Sequence, residues 1–198
     1  MTHAVKQQQC TNESVILKRS CRIVIGIVPV KLSERLPGKH LLKIGEITIL
    51  ESVIRRIRAV MDVEVYSKIS IPVPYLQDNS SNIMELVSEL SGKYDAFFLA
   101  GGDMPFFTVS DVKTMLDRFH GRAIVPRHQD GQIEPLFAIY SGSLKPENNL
   151  VAMIARMNPV YIETSEFSRY AFFNINTESD YRNALEIARN IGESHKMK

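Results

Sequence analysis

The chain has 198 residues, a formal net charge of +2, 44% hydrophobic and 23% charged residues, proportions that suit a globular protein with one full core. So small a net charge excludes a nucleic-acid binder that works through a broad basic surface, and no apolar run is long enough to span a membrane or to form a signal-peptide core. Cys10 and Cys21 fit no metal-ligand spacing and read as free thiols of a cytoplasmic protein.

In chain order, residues 1–20 are polar and aperiodic and read as a flexible N-terminal extension, with 21–198 as a single domain. Arg22 to Val30 is a β-branched run that predicts the first buried strand. The following stretch, Lys31 to Lys43, carries Lys31, Arg35, Lys39 and Lys43 around Pro37-Gly38. Repulsion among these cations would be relieved by a polyanion such as a triphosphate, which Gly38 would let the backbone approach; on charge alone a solvated basic loop is an equal reading. Thr48 and Glu51 mark a capping box ahead of a helix to Met61, with Ile49, Val53, Ile57 and Val60 on one face. Val63 to Tyr66 predicts a second strand, Ser70 to Tyr75 a short extended segment held by Pro72 and Pro74, and Ile83 to Leu90 another helix.

Ala96 to Ala100 is an uninterrupted apolar run, the pattern of a strand covered on both faces of a parallel sheet. It ends in Gly101-Gly102, which permit unusual backbone angles, then in the lone carboxylate of Asp103 and a stop at Pro105. Thr108 caps a helix with Val112, Met115, Leu116 and Phe119 on one face. Arg122 to Pro126 predicts a strand, Glu134 to Tyr140 a strand or strand-to-helix entry, Leu144 to Met157 a helix and Val160 to Glu163 a strand. Thr177 and Asp180 cap a last helix, Glu178 to Ile191. The order of elements is βαβ repeated, which predicts an α/β fold.

In open α/β sheets, function gathers at the carboxyl ends of strands. If the first strand and that of Ala96 to Ala100 are neighbours, the basic loop and Asp103 share that edge. Cations opposite a hard carboxylate are the parts needed to hold a nucleoside triphosphate and stabilise departing pyrophosphate. Asp103 suits Mg²⁺, and Asn176 offers a neutral oxygen as a second ligand. Taken singly, Asp103 reads as a turn or cap residue and Asn174 and Asn176 as turn chemistry. The five histidines are scattered without ligand-like pairing, and His40, beside Lys39, is a candidate phosphate contact. No G-x-x-x-x-G-K-[ST], G-x-G-x-x-G or nucleophile elbow is present.

The strand ending in D-M-P-F (Asp103 to Phe106), the segment E-P-L-F-A-I-Y (Glu134 to Tyr140) and F-F-N-I-N-T followed by Asp180 together resemble the molybdenum cofactor guanylyltransferase (MobA-like) family of nucleotidyltransferases. The resemblance runs from about Ile23 to Ile191. It implies a three-layer, mostly parallel Rossmann-like sheet of the nucleotide-diphospho-sugar transferase type, and Mg²⁺-dependent transfer of GMP from GTP to molybdopterin cofactor with release of pyrophosphate. By the same resemblance Asp103 would bind Mg²⁺ and nucleotide, with Asn176 as its partner. Arg35 and Lys39 would bind phosphates, Asp78 the base or ribose region, and Asn174 with Asn176 would form the floor of the site.

The family's first loop reads L-A-G-G-x-S-x-R-M-G. Here the corresponding positions, which by the resemblance would contact the nucleotide, are Val28, Pro29, Val30 and Lys31; both glycines are absent, and Pro29 removes a backbone donor. R-L-P-G-K (Arg35 to Lys39) instead resembles the loop of cytidylyltransferases that activate sugar acids, and Asp78 to Asn82 replaces a usual G-P-L-A-G element. Cytidylyl or other nucleotidylyl transfer to a sugar or phospho-acid therefore stands as the alternative, with a catalytically weak nucleotide-binding relative as a third reading. The partners expected are a nucleoside triphosphate and a phosphorylated, molybdopterin-like acceptor, with no nucleic acid and no membrane; oligomeric state is left open.

Overall fold

Nine strands, β1–β9, and five α-helices, α1–α5, with two short 3₁₀ turns, make up the regular structure between residues 24 and 196, the part of the chain that the computed structural model describes. The expected extension 1–20, Cys10, Cys21 and the start of the first predicted strand lie outside the described residues. In chain order the elements are β1 (Ile25–Val30), β2 (Lys43–Ile44), β3 (Ile47–Thr48), α1 (Ile49–Arg58), β4 (Val63–Ser67), β5 (Leu76–Gln77), α2 (Ile83–Lys93) and β6 (Ala96–Ala100). They continue with α3 (Val109–Arg118), β7 (Ile124–Arg127), β8 (Phe137–Ser141), α4 (Leu150–Arg156), β9 (Val160–Glu163) and α5 (Glu178–Lys196).

The helices begin where their caps dictate. Thr48 Oγ1 accepts from Glu51 N at 3.2 Å while Glu51 Oε2 accepts from Thr48 N at 2.9 Å, and Thr108 and Asp111 repeat the exchange at the start of α3. Each reciprocal pair satisfies two main-chain donors that the helix itself cannot. Asn82 caps α2 with one such bond, to Glu85 N.

Seven strands form one sheet in the order β5-β4-β1-β6-β8-β7-β9. β1 pairs in parallel with β4 and β6, β4 with β5, and β7 with β9; β8 runs antiparallel to both its neighbours. β2 and β3 form a separate small ribbon. Successive residues of β6 face opposite sides. Ala96, Phe98 and Ala100 share one buried cluster with Leu50, Val53, Ile54 and Ile57 of α1 and Val112 and Met115 of α3, while Phe97 and Leu99 share another with residues of α2 and α4. All five are buried, so the sheet is the middle of three layers and β6 is its central ply. The fold is the α/β, mostly parallel Rossmann-like class expected.

Three readings need correction. Glu134 to Leu136 turn before β8, and the strand is Phe137–Ser141 with no helical entry; it is threaded between β6 and β7, so the βαβ alternation breaks here. Phe97 stacks on Tyr140 at 5.3 Å and Phe98 meets Phe137 edge-on at 4.9 Å, aromatic contacts that help hold the antiparallel insertion. The edge strand after β4 is Leu76–Gln77, just beyond the proline pair expected to be extended. Helix α4 starts at Leu150, where the Asn149 side chain accepts from Ala152 N. Pro146 steers the residue before it away from helical angles, which accounts for the lost first turns.

Candidate active site

The carboxyl ends of β1 and β6 lie side by side, and the candidate chemistry gathers beyond them. Asp103 follows β6 and is fixed by its own main chain: Gly101 N donates to Leu136 O at 2.8 Å, and Ile175 N donates to the Asp103 carbonyl at 3.0 Å. A Cβ on Gly101 would stand 2.8 Å from Asp103 Oδ1 and 3.3 Å from Met104 Sδ. The carboxylate therefore folds back over bare backbone. Neither Gly101 nor Gly102 adopts a positive φ, so the first of them is required by space and not, as expected, by unusual backbone angles.

Lys39 reaches Asp103 from the other side. Gly38 has φ 71°, a left-handed conformation that favours glycine, and turns the basic loop into a short 3₁₀ turn, Lys39–Leu41. Leu36 of this loop, Phe106 of the D-M-P-F turn and Ile175 share one buried apolar cluster with Ala184 of α5. Burial of these side chains draws three sequence-distant segments together. The Lys39 ammonium donates to Asp103 Oδ2 at 2.5 Å, to Asn176 Oδ1 at 2.9 Å and to the Ile175 carbonyl at 2.9 Å. All three of its donors are used, and the side chain is only 8% exposed.

The other basic residues of the loop stay outside. Lys31, Arg35 and Lys43 are exposed, and Arg35 stands near enough to Asp180 to help hold its carboxyl below the usual range, after the larger effect of the hydrogen bond from Asn176 N. His40 is buried rather than facing a phosphate. Its Nδ1 lies 3.2 Å from Gly102 O and its Nε2 3.3 Å from Lys31 O, and burial pushes its pKa down. It ties the basic loop to the turn that carries Asp103.

Val28 and Val30 put their side chains in the core, so at these two expected nucleotide positions only the main chain is left to face the edge of the sheet, whereas the Lys31 side chain is exposed. Asp78 sits after β5, apart from Asp103; its Oδ1 accepts from Ser80 N at 2.9 Å and Ser80 Oγ at 2.5 Å, and its Oδ2 is 3.5 Å from Lys68 Nζ. Asn174 lies in the same segment as Asn176, with Nδ2 donating to Phe172 O at 3.1 Å.

Sequence reasoning missed two features. The Ile175 carbonyl has no side-chain signature. His128, one of the histidines without an expected partner, has Nε2 2.7 Å from Glu134 Oε1 and packs edge-on against Phe172; the six-residue spacing across a glycine turn is the signal that could have paired them. The predicted cap of α5 has a second consequence. Asp180 Oδ2 accepts from both Asn176 N (3.0 Å) and Thr177 N (2.8 Å), which orients the residue whose amide oxygen meets Lys39.

Among the described residues, no group of three or more His, Cys, Asp or Glu could hold a metal. One carboxylate, one amide oxygen and one carbonyl do converge on the Lys39 ammonium. Such hard neutral and singly charged oxygens fit Mg²⁺ or Mn²⁺ when phosphate oxygens and water complete the shell, and do not fit a soft metal.

The sequence pattern of the MobA-like NTP transferase domain family matches residues 32–156, more than half of the chain. A probable molybdenum cofactor guanylyltransferase of Pyrococcus furiosus is 33% identical over 117 residues, 49% of this chain and 60% of that protein. The chain thus spans less than two thirds of the length of this relative. Among solved structures, molybdopterin-guanine dinucleotide biosynthesis protein A of Archaeoglobus fulgidus superposes with a TM-score of 0.66 at 18% identity, over 83% of this chain and 99% of that one. The 2-C-methyl-D-erythritol 4-phosphate cytidylyltransferase of Thermus thermophilus gives a TM-score of 0.55 at 15% identity, over 85% and 99%. At these identities the two superpositions speak to the fold.

Proposed function

The chain belongs to the MobA-like NTP transferase domain family, and from that premise we propose that it is a nucleotidyltransferase moving GMP from GTP to molybdopterin cofactor. The observation that carries the reading is the meeting of Lys39, Asp103 and Asn176 at the carboxyl edge of the sheet, from three segments pinned by one apolar cluster. A cationic side chain and hard oxygens at one point are the parts that phosphoryl transfer requires.

In this reading a terminal phosphate oxygen of the acceptor attacks the α-phosphorus of GTP. A new P–O–P link forms, the bond from the α-phosphorus to the bridging oxygen breaks, and pyrophosphate leaves with that electron pair. No covalent enzyme intermediate is needed. The chain's part is to align the two phosphates and to neutralise charge. Arg35 and Lys31, exposed on the basic loop, meet the β- and γ-phosphates, and Lys39 moves from its acceptors to a phosphate oxygen. The main chain from Val28 to Lys31 lies along the nucleotide, the loop that Asp78 braces borders the base or ribose, and Asn174 lines the floor. Asp103 and Asn176 would hold Mg²⁺, whose chemistry there is charge neutralisation at the phosphate oxygens.

Asp103→Asn keeps the shape of the site and removes the charge that both Lys39 and a metal require. Pyrophosphate release with GTP and acceptor should fall by about 1,000-fold or more, a loss typical of removing a main electrostatic group, while circular dichroism still reports the folded chain and the melting temperature falls, because the buried Lys39 ammonium loses its counter-charge. Full retained activity would sink the proposal. The loop R-L-P-G-K, together with the absence of both loop glycines, favours cytidylyl transfer as a second reading, and the two separate by base preference.

A further inference from the structure

The position of the Lys39 ammonium has a second meaning. Asp103 Oδ2, Asn176 Oδ1 and the Ile175 carbonyl all accept from it, at 2.5, 2.9 and 2.9 Å, so the two side chains proposed to hold a divalent cation are already committed to a monovalent one. The arrangement is built, not incidental. Lys39 is 8% and Asp103 16% exposed as side chains, Gly38 supplies the left-handed turn that sends Lys39 inward, and Asp180 clamps the main chain of Asn176. A metal ion held by these oxygens would stand where the ammonium now stands, within a few ångströms of its charge, and the two cations repel at such a distance.

We propose that Lys39 occupies the metal position as an internal cation until a triphosphate draws its ammonium away, so that the site refuses a free divalent ion and accepts one together with the nucleotide. This rests on the reading of Asp103 and Asn176 as metal ligands. The exchange conserves charge pairing: Lys39 trades its acceptors on the protein for oxygens of the phosphate chain, and the freed side-chain oxygens of Asp103 and Asn176 turn to the metal. Neither the ammonium nor the carboxylate is left buried and unpaired at either end of the exchange, which is the condition for a low-cost switch between two arrangements. Lys39 thereby makes metal affinity conditional on nucleotide, beyond its direct contact with phosphate.

The test is titration of the full chain with Mn²⁺ alone, followed by water-proton relaxation, in wild type, Lys39→Met and Lys39→Met/Asp103→Asn. Lys39→Met keeps the length of the side chain and removes its charge. Expected is Mn²⁺ binding at least about 10-fold tighter than in wild type, lost again in the double variant, a coupling of the size common between linked sites. Wild type should bind Mn²⁺ at this site only with inorganic triphosphate present, seen as relaxation enhancement above that of the Mn²⁺–triphosphate complex and absent in Asp103→Asn. If Lys39→Met does not fold, Lys39→Gln carries the same expectation. If the triphosphate-dependent, Asp103-dependent signal appears but removing the ammonium leaves Mn²⁺ affinity unchanged or weaker, the internal-cation inference is overturned while the metal reading stands. If Mn²⁺ binding is nowhere sensitive to Asp103, the metal reading falls and the inference with it.

Discussion

Gly101 carries no functional group, yet it decides where the Asp103 carboxylate can lie. A Cβ there would come 2.8 Å from Asp103 Oδ1, closer than real Cβ contacts come, and φ at this position is not in the left-handed range. Gly101→Ala should therefore be tolerated by the backbone and not by the site. An unfolding midpoint in urea equivalent to within about 1 kcal/mol of wild type is expected, with kcat/KM for pyrophosphate release reduced about 100-fold, the cost of displacing a reacting group by about an ångström. A loss of stability without a loss of rate would assign Gly101 to the fold alone. Residue types at this scale were partly legible in the sequence. Asp103, Lys39 and Asn176 stood out because charge and amide groups at strand ends and in a basic loop have a chemistry of their own. The Ile175 carbonyl was not legible, since every residue has one, and neither was the burial of His40, whose two ring nitrogens face main-chain oxygens supplied by segments 9 and 62 residues away in sequence.

Strands and helices converge on the site through close approach as much as through pattern. At Gly26 of β1, α1 comes close to the sheet: a Cβ would lie 2.5 Å from Ile57 Cγ2 and 3.3 Å from Asp62 O, and Ile57 is completely buried. Gly26→Ala should overpack this contact and cost about 1–3 kcal/mol, read as a lower urea midpoint at unchanged slope, with the rate of the folded enzyme preserved because the change lies at the opposite end of β1 from Lys31. It is the counterpart of Gly101→Ala, a glycine whose space serves stability. Helices α1, α3 and α5 were legible because their caps are local, Thr48 with Glu51, Thr108 with Asp111 and Thr177 with Asp180. The early start expected for α4 failed because apolar spacing continues through a stretch that Pro146 and the Asn149 cap exclude from the helix.

Across the whole molecule, the α/β class followed from alternating periodicities, whereas the threading of β8 between β6 and β7 did not. Strand order depends on which distant segments pair, and a five-residue apolar run carries no direction. The insertion matters for function, since Leu136, just before β8, accepts the Gly101 hydrogen bond that steadies the Asp103 turn. In the proposed reading the base recognised is likewise a property of the assembled molecule, because the loop after β1 and the stretch from Asp78 to Asn82 come to one edge only once the sheet has formed. Ligand that binds the folded chain alone raises its apparent stability as RT ln(1 + [L]/Kd), about 2.7 kcal/mol at 100 times Kd. For a chain of this size that is a rise in melting temperature of about 5–10 °C. A panel of GTP, CTP, ATP and UTP with Mg²⁺, each at equal concentration, should give its largest shift with GTP, and Asp103→Asn should flatten the response to all four. A larger shift with CTP would move the assignment to cytidylyl transfer, as R-L-P-G-K suggests, and leave the metal and phosphate roles intact. Equal shifts with all four would mean that the site grips the triphosphate and leaves selection of the base to the acceptor-bound state.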